Sequence, residues 1–372
     1  MGKNIVIIEN HLISTNTVRQ KLTHSLMDAG YAVTIFSTGT EKEFALARQK
    51  GFTVIDVKTS ITNPFQVLKY ILALRKNLKQ TEADVCLTFT MRPAIWGNIV
   101  TRSLKIPTIT NITGIGPLAH SESFAYQVAR ALYKFVLKKT AKVFFQNNDD
   151  KNIFLQKKFV KESQTELIPG SGIDYEFYKP FPKKRNDGRF VFLFISRLIK
   201  DKGILEYIDA ATQLQQQNMH VEFQVVGPYY SQNLQENIIT EKQIVKWVEQ
   251  GVMNYLGAAN DVRPFIAEAD CIVLPSYREG MSNVLLEAGS MQKPCITTNV
   301  TGCRDIVADN VTGYLCRVKD GDDLAEKMKN MMALDITERE RMGIAARELV
   351  KNKFAKQIVI DAYLKAIKEL IQ

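Results

Sequence analysis

The chain has 372 residues, of which 45% are hydrophobic and 24% charged, and a formal net charge of +10 at pH 7. That length exceeds one ordinary hydrophobic core and predicts two domains, and the apolar content argues against disorder. No run of about 18 uncharged apolar residues occurs, so no membrane-spanning helix is expected.

The charge is unevenly divided. Residues 1–180 hold 24 Lys and Arg against 14 Asp and Glu, whereas residues 181–372 hold 25 of each kind. A basic half beside a neutral half predicts that the first faces something anionic. There is no zinc-finger spacing and no aromatic and glycine pattern of an RNA-binding sheet, so nucleic acid is not the expected partner. The five cysteines, Cys86, Cys271, Cys295, Cys303 and Cys316, include no Cys-x-x-Cys pair, and an odd count argues against a disulfide framework. A reducing compartment, most simply the cytoplasm, follows. The first residues, Met1 to Glu9, have too short an apolar run for a signal peptide and read as a first strand.

In chain order, residues 4–8 read as a strand and 12–29 as a helix ending at Gly30. Strands follow at 31–36 and 53–56, with a helix at 41–50 between them. Asn63-Pro64 starts a helix with Pro in its first position; Phe65, Leu68, Ile71, Leu72 and Leu78 form its expected apolar face. Strands at 84–89, 107–112 and 141–145 alternate with helices at 93–104, 123–139 and 149–158. Pro169 to Gly188 is rich in turn residues and reads as a linker. The alternation then restarts, with strands at 190–196, 221–226, 253–256, 271–274 and 295–298, a helix at 204–217, and closing helices from 322 to 372. This pattern predicts α/β architecture: two doubly wound parallel sheets, Rossmann-like, with ligands at the carboxyl ends of strands. The expected boundaries are 1–180, 181–353 and a C-terminal helix, 354–372.

The most informative stretch is Arg278 to Ala288. It follows a buried strand end, Cys271 to Pro275, and places Glu279 and Glu287 eight positions apart around Gly280, Met281, Ser282, Asn283, Val284, Leu285 and Leu286. Ser282 is a fitting N-cap. A helix N-terminus after a strand and loop offers free amides to an anion, which predicts a phosphate-bearing ligand on residues 281–285. Arg197 and Lys202 follow the strand at 190–196 across a turn closed by Gly203. Two cations at a strand end can reach one diphosphate, Arg as a fork and Lys as a point charge.

These residues resemble the donor-site motif of the family 4 retaining glycosyltransferases. Further pieces fit: Ser196 to Gly203, Val225-Val226-Gly227, Tyr255-Leu256-Gly257, and Gly302 before Asp305. The likeness is strong over residues 190–350 and looser before them. The resemblance implies the GT-B fold, two Rossmann-like domains facing a cleft, with the last helix crossing back to the first. It implies that Arg197 and Lys202 bind the diphosphate, that Glu287 holds the ribose hydroxyls, and that Glu279 lies against the donor sugar. Gly227 and Leu256 would border the base. No cofactor and no metal are implied; the four histidines are scattered and no Asp-x-Asp ends a strand.

Phe89 to Pro93 and Thr110 to Gly116 resemble a subset that extends polyprenyl-diphosphate-linked saccharides in capsule, O-antigen and bacterial N-glycan assembly. That subset implies a UDP-linked donor carrying GalNAc, GlcNAc or Gal. The acceptor side would use Arg92, Gly114, His120 and Thr15. Around Glu9-Asn10-His11 the family often has two glycines, and this chain has none. Residues 123–142 interleave Phe124, Tyr126, Tyr133 and Phe135 with Arg130, Lys134, Lys138, Lys139 and Lys142. That mixture fits docking on an anionic membrane face, hence a peripheral enzyme on the cytoplasmic side of the inner membrane; an ordinary solvated amphipathic helix has the same composition. Two other functions remain open on sequence: a GT-B epimerase or phosphorylase, and a basic nucleic-acid-binding module.

Overall fold

The computed structural model describes residues 3–58, 63–115, 124–185, 187–217, 220–229 and 237–371. The chain forms two compact units, Met1–Gly172 with Lys356–Gln372, and Ile173–Ala355.

The first unit is built on a parallel sheet of seven strands: β1 (Asn4–Ile8), β2 (Ala32–Ser37), β3 (Thr53–Asp56), β4 (Val85–Phe89), β5 (Thr108–Ile112), β6 (Lys142–Phe145) and β7 (Thr165–Leu167). Its order is β3-β2-β1-β4-β5-β6-β7, so the direction of winding reverses between β1 and β4. Side chains alternate across each strand. Ile5 and Ile7 enter one core, while Val6 and Ile8 enter another on the opposite face. Helices on both faces explain why β1 is apolar from Ile5 to Ile8.

One face carries α1 (Ile13–Asn16), α2 (Gln20–Asp28), α3 (Glu41–Gln49) and α14 (Lys356–Ile371). The other carries α4 (Pro64–Gln80), α5 (Asn98–Leu104), α6 (Phe124–Leu137) and α7 (Asn148–Gln156). Within the same unit, α14 buries Val359, Ile360, Tyr363 and Ile367 beside Phe89 and Phe144. The Tyr363 ring lies 4.9 Å from that of Phe144, and Asn111 Nδ2 donates to its hydroxyl at 2.8 Å. Lys356, also buried, donates to the Val18 carbonyl at 2.8 Å and to that of Ser171.

The second unit has six parallel strands: β8 (Phe190–Ile195), β9 (Val221–Val226), β10 (Asn254–Tyr255), β11 (Cys271–Leu274), β12 (Cys295–Thr298) and β13 (Gly313–Cys316). The order β10-β9-β8-β11-β12-β13 reverses between β8 and β11. Its helices are α8 (Ile204–Gln215), α9 (Glu241–Glu249), α10 (Arg263–Glu268), α11 (Asn283–Ser290), α12 (Gly321–Ala333) and α13 (Ile336–Phe354). All five cysteines are buried free thiols. No helix among the described residues is long and apolar enough to cross a membrane.

Four features depart from the sequence reading. The helix expected over 12–29 is broken at Thr17, whose backbone (φ −124°, ψ −97°) leaves the helical region. Residues 93–104 begin with a π-helical turn, Pro93–Gly97, before α5. The strands β7 and β13 had no counterpart in the reading. Lastly, α4 buries Tyr70, Leu74 and Leu78, spaced four apart, and turns Phe65, Leu68 and Leu72 to solvent at 79%, 55% and 57% exposure.

Candidate active site

In a doubly wound sheet the reversal point leaves a crevice at the strand carboxyl ends, because neighbouring loops there run to opposite sides. In the second unit that crevice lies between the loops after β8 and β11. The first carries Arg197 and Lys202, and the second carries Glu279.

The loop after β8 tightens into a 3-10 turn, Lys200–Lys202, and closes on Gly203 in the left-handed region (φ 77°). A Cβ at Gly203 would sit 2.0 Å from the Pro275 carbonyl oxygen, so only glycine lets this turn press against the end of β11. Tyr277 N donates to the Asp201 carbonyl at 2.9 Å, and Ser276 Oγ reaches the same oxygen at 3.2 Å. The two loops are thus stitched together. Lys202 Nζ forms an ion pair with Glu279 Oε1, with the side chains 15% and 13% exposed. Ser276 Oγ donates to the same Oε1 at 2.9 Å. Among the described residues Glu279 Oε2 accepts no hydrogen bond. Arg197 is exposed on the same loop.

A third loop, after β12, clamps the Glu279 backbone. Gly302 (φ 75°) comes so close that a Cβ would lie 2.7 Å from the Glu279 and Gly280 oxygens. Glu279 N donates to the Thr301 carbonyl at 3.2 Å, and Ser282 N to that of Gly302 at 3.1 Å. Asp305 fixes Gly302 by accepting from its amide at 2.8 Å.

Ser282 caps α11, its hydroxyl accepting from Leu285 N at 3.5 Å. That bond and the Ser282–Gly302 bond commit two of the amides in the expected anion stretch. Among the described residues Asn283 and Val284 are then the first-turn amides with no acceptor from cap or loop. Leu285 is fully buried, Met281 and Val284 are half-buried, and all three pack in or against the core. Glu287 lies half-buried one turn on and accepts a hydrogen bond from the Tyr178 hydroxyl. Burial, and then the Glu287 charge, push the Tyr178 hydroxyl well above its ordinary pKa, which keeps it a donor.

Gly227 ends β9 at φ 156°, and a Cβ there would fall 1.6 Å from the Ser196 carbonyl oxygen. Its amide donates to the Gly257 carbonyl at 2.9 Å, and its own carbonyl accepts from Tyr255 Oη at 2.8 Å. Leu256 is 40% exposed beside them.

In the first unit the reversal point lies between β1 and β4. Asn10 Nδ2 bridges it to Thr90 Oγ1 at 2.7 Å, with Thr90 in the left-handed region (φ 69°). Thr15 is fully buried and turned inward; its amide (3.2 Å) and its hydroxyl both donate to Glu9 Oε1. Arg19 Nη1 donates to Glu9 Oε2 at 2.8 Å, and its guanidinium lies 4.1 Å from the centre of the Phe89 ring. Burial raises the Glu9 pKa, and Arg19 and Thr15 oppose the rise. A buried ion pair therefore shapes the loop where the family often has two glycines. Arg92 is exposed at the start of the π-helical turn, and Gly114 (φ 123°) is exposed after β5. His120 lies outside the described residues. No group of three or more His, Cys, Asp or Glu side chains among the described residues is placed to hold a metal ion.

Sequence reasoning did not find Ser276 or Tyr178, which hold the two glutamates. Tyr178 reaches Glu287 from far along the chain, whereas Ser276 lies three residues before Glu279 and its role comes from how the loop folds back on itself. The aromatic cluster Tyr175, Phe177 and Tyr178 before Pro180 was the available signal for the second.

Comparison with known proteins gives the same picture for both units. Residues 177–349 match the family model "Glycosyl transferases group 1", and residues 11–147 match "Glycosyl transferase 4-like". The chain is 26% identical to the Campylobacter jejuni N,N'-diacetylbacillosaminyl-diphospho-undecaprenol alpha-1,3-N-acetylgalactosaminyltransferase, over 87% of this chain and 88% of that one. It is also 26% identical to the Escherichia coli UDP-Gal:alpha-D-GlcNAc-diphosphoundecaprenol alpha-1,3-galactosyltransferase, over 82% and 79%. Among solved structures, Anabaena Alr3699/HepE in complex with UDP and glucose superposes with a TM-score of 0.82 at 18% identity, covering 99% and 100% of the two chains, a likeness of fold. With a glycosyltransferase model matching each of its two units, the chain belongs to the group 1, family 4-type glycosyltransferases of GT-B fold.

Proposed function

We propose that this glycosyltransferase moves a hexose or N-acetylhexosamine from a UDP-linked donor, with GalNAc, GlcNAc or Gal as the sugar, to a polyprenyl-diphosphate-linked saccharide, with retention of anomeric configuration. The observation that carries the reading is the convergence of Lys202, Glu279 and the start of α11 at the reversal point of the second sheet. The names of the relatives, which act on undecaprenyl-diphosphate-linked sugars, support the acceptor class and its place in surface-polysaccharide assembly.

In this reading the second unit binds the donor. The leaving diphosphate gains negative charge as the glycosidic bond breaks. Lys202 and Arg197 stabilise that charge, together with the Asn283 and Val284 amides and the positive end of the α11 dipole. Before the donor arrives, Glu279 holds the Lys202 ammonium at the crevice, so little reorganisation is needed when the diphosphate enters. Glu279 Oε2 then accepts from a hydroxyl of the donor sugar. Glu287, held by Tyr178, accepts from the ribose hydroxyls, and Gly227 and Leu256 border the base. Met281 and Gly280 shape the loop in between. The acceptor hydroxyl loses its proton to the leaving phosphate on the same face of the sugar.

The first unit takes the acceptor. Arg92 and Gly114 stand at strand ends, and His120 follows on the same stretch of chain. Thr15 acts from beneath, by fixing the loop after β1 through Glu9. The basic surface of this unit meets an anionic membrane face, with the exposed ridge of α4 and the lysines of α6 as the contact. No cofactor, metal or nucleic acid takes part.

The test is a screen of the purified enzyme against a panel of nucleotide sugars, with and without a polyprenyl-diphosphate-linked saccharide. One UDP-sugar should be consumed much faster with the acceptor present. Consumption without transfer, or epimerisation of the sugar, would replace this reading with the epimerase alternative.

A further inference from the structure

At the edge of the first sheet away from Arg92 and Gly114, α5 and α6 end side by side over the starts of β5 and β6. Between them lies a cavity of about 270 Å³, lined by Asn98, Thr101, Thr108 and Thr140 and by Arg102, Lys105 and Lys139. The four neutral polar residues are buried and the three cations exposed, and Ile106, Pro107, Val136 and Ala141 complete the lining, so the cavity has a mixed polar and apolar inner wall and a cationic rim.

The wall is fixed in place. Thr140 Oγ1 donates to Asn98 Oδ1, Asn98 Nδ2 to Thr110 Oγ1, and Thr108 Oγ1 to Thr101 Oγ1, each at 2.8 Å. Elsewhere on this unit Lys142 and Lys151 pair with Glu369 and Glu162 at 3.0 and 2.6 Å. Among the described residues, Arg102, Lys105 and Lys139 have no carboxylate partner. A cation in the last turn of a helix, or just beyond it, complements the dipole there, which accounts for each cation singly. It does not account for three meeting at one cavity, where their mutual repulsion favours a bound anion. Lys105 also occupies a left-handed helix-end position (φ 59°), where glycine is usual. Beside the rim, Phe135 is 59% exposed, and the Arg102 guanidinium lies 4.9 Å from the centre of its ring. An exposed aromatic ring next to cations is the arrangement found at lipid headgroup depth.

We propose that this cavity binds the phosphate group of an anionic phospholipid headgroup. The proposal deepens the membrane contact suggested above and rests on it, but it is independent of donor binding. Three charge-assisted contacts to one phosphate would come from the rim, while the hydrogen-bonded wall keeps α5 and α6 apart.

The full-length protein is titrated with glycerol 1-phosphate by calorimetry and, separately, with phosphatidylcholine vesicles containing phosphatidylglycerol. The variant Arg102→Gln/Lys105→Gln is compared with Lys157→Gln/Lys158→Gln, which removes equal charge elsewhere on the first unit. An unchanged thermal midpoint shows that each variant is folded, whatever the donor does. Wild type and the second variant should bind glycerol 1-phosphate saturably, with the rim variant at least roughly tenfold weaker. Vesicle binding should likewise fall more in the rim variant. Equal falls in both variants would mean diffuse attraction and overturn the site. Loss of glycerol 1-phosphate binding with no larger fall in vesicle binding would mean a soluble-phosphate site and overturn the lipid assignment.

Discussion

Lys202 and Glu279 meet because two tight loops are tied to each other, and each residue has a separate proposed task. Glu279→Ala and Lys202→Ala should each lower turnover by orders of magnitude while the thermal midpoint stays within a few degrees of wild type. Steady-state rates on the preferred donor, with melting curves alongside, check this; near-normal rates in both would refute the assigned roles. A second prediction concerns the acid limb of stability. Arg185 and Arg189 pair with Glu222 at the base of the second sheet, and the Arg185 hydrogen bond, helped by those of Gln224 and Asn254, lowers its pKa from the ordinary 4.5 to about 2. Its contribution is therefore full above pH 4.5 and is lost as pH falls towards 2. Glu222→Gln should lower the unfolding midpoint at pH 6 by a few degrees, and the gap from wild type should close on acidification. A gap that stays constant with pH would contradict the assignment. At this scale the sequence was informative wherever local chemistry decides. Ser282 as cap follows from its own type and position, and Glu279 from its motif. Tyr178 and the Glu9–Arg19 pair depend on a partner far along the chain or on burial in the core, and Ser276 on the fold of its loop back towards Glu279, none of which spacing reveals.

Among the elements, the turn at Gly203 carries the sharpest constraint. Gly203→Ala would place a methyl group against the Pro275 carbonyl in a backbone region that alanine disfavours. It should cost about 1–3 kcal/mol of stability, measured by urea unfolding, and lower turnover further by moving Lys202. A variant as stable and active as wild type would show that the turn can yield. Elements with a clear apolar signal were legible: β8 and β11 are unbroken apolar runs, and β9 and β12 carry β-branched and aromatic residues between turn signals. The strands β7, Thr165–Leu167, and β13, Gly313–Cys316, are short edge strands with one glutamate and one glycine between them, so no such run marks them. In α4 the element was legible but its orientation was not. Its aliphatic residues outnumber the positions that the sheet covers, and Tyr70, rather than Phe65 or Leu68, takes the buried row.

On the scale of the whole molecule, the charge division and the restart of strand–helix alternation both reflect two separately cored units. The C-terminal helix belongs to the core of the first unit, although it follows the last helix of the second. Tyr363→Phe removes the hydroxyl that accepts from buried Asn111 and should cost about 1–2 kcal/mol, seen as a shift in the urea midpoint; no shift would mean that Asn111 finds another partner. The central claim is that the second unit grips a nucleotide diphosphate with Lys202, Arg197 and the start of α11. Calorimetric titration of UDP into wild type and into Arg197→Ala/Lys202→Ala tests it most directly. The account predicts saturable binding by wild type and binding about a hundredfold weaker or more in the double variant; equal affinity in the two proteins, or no binding of UDP by wild type, would contradict it.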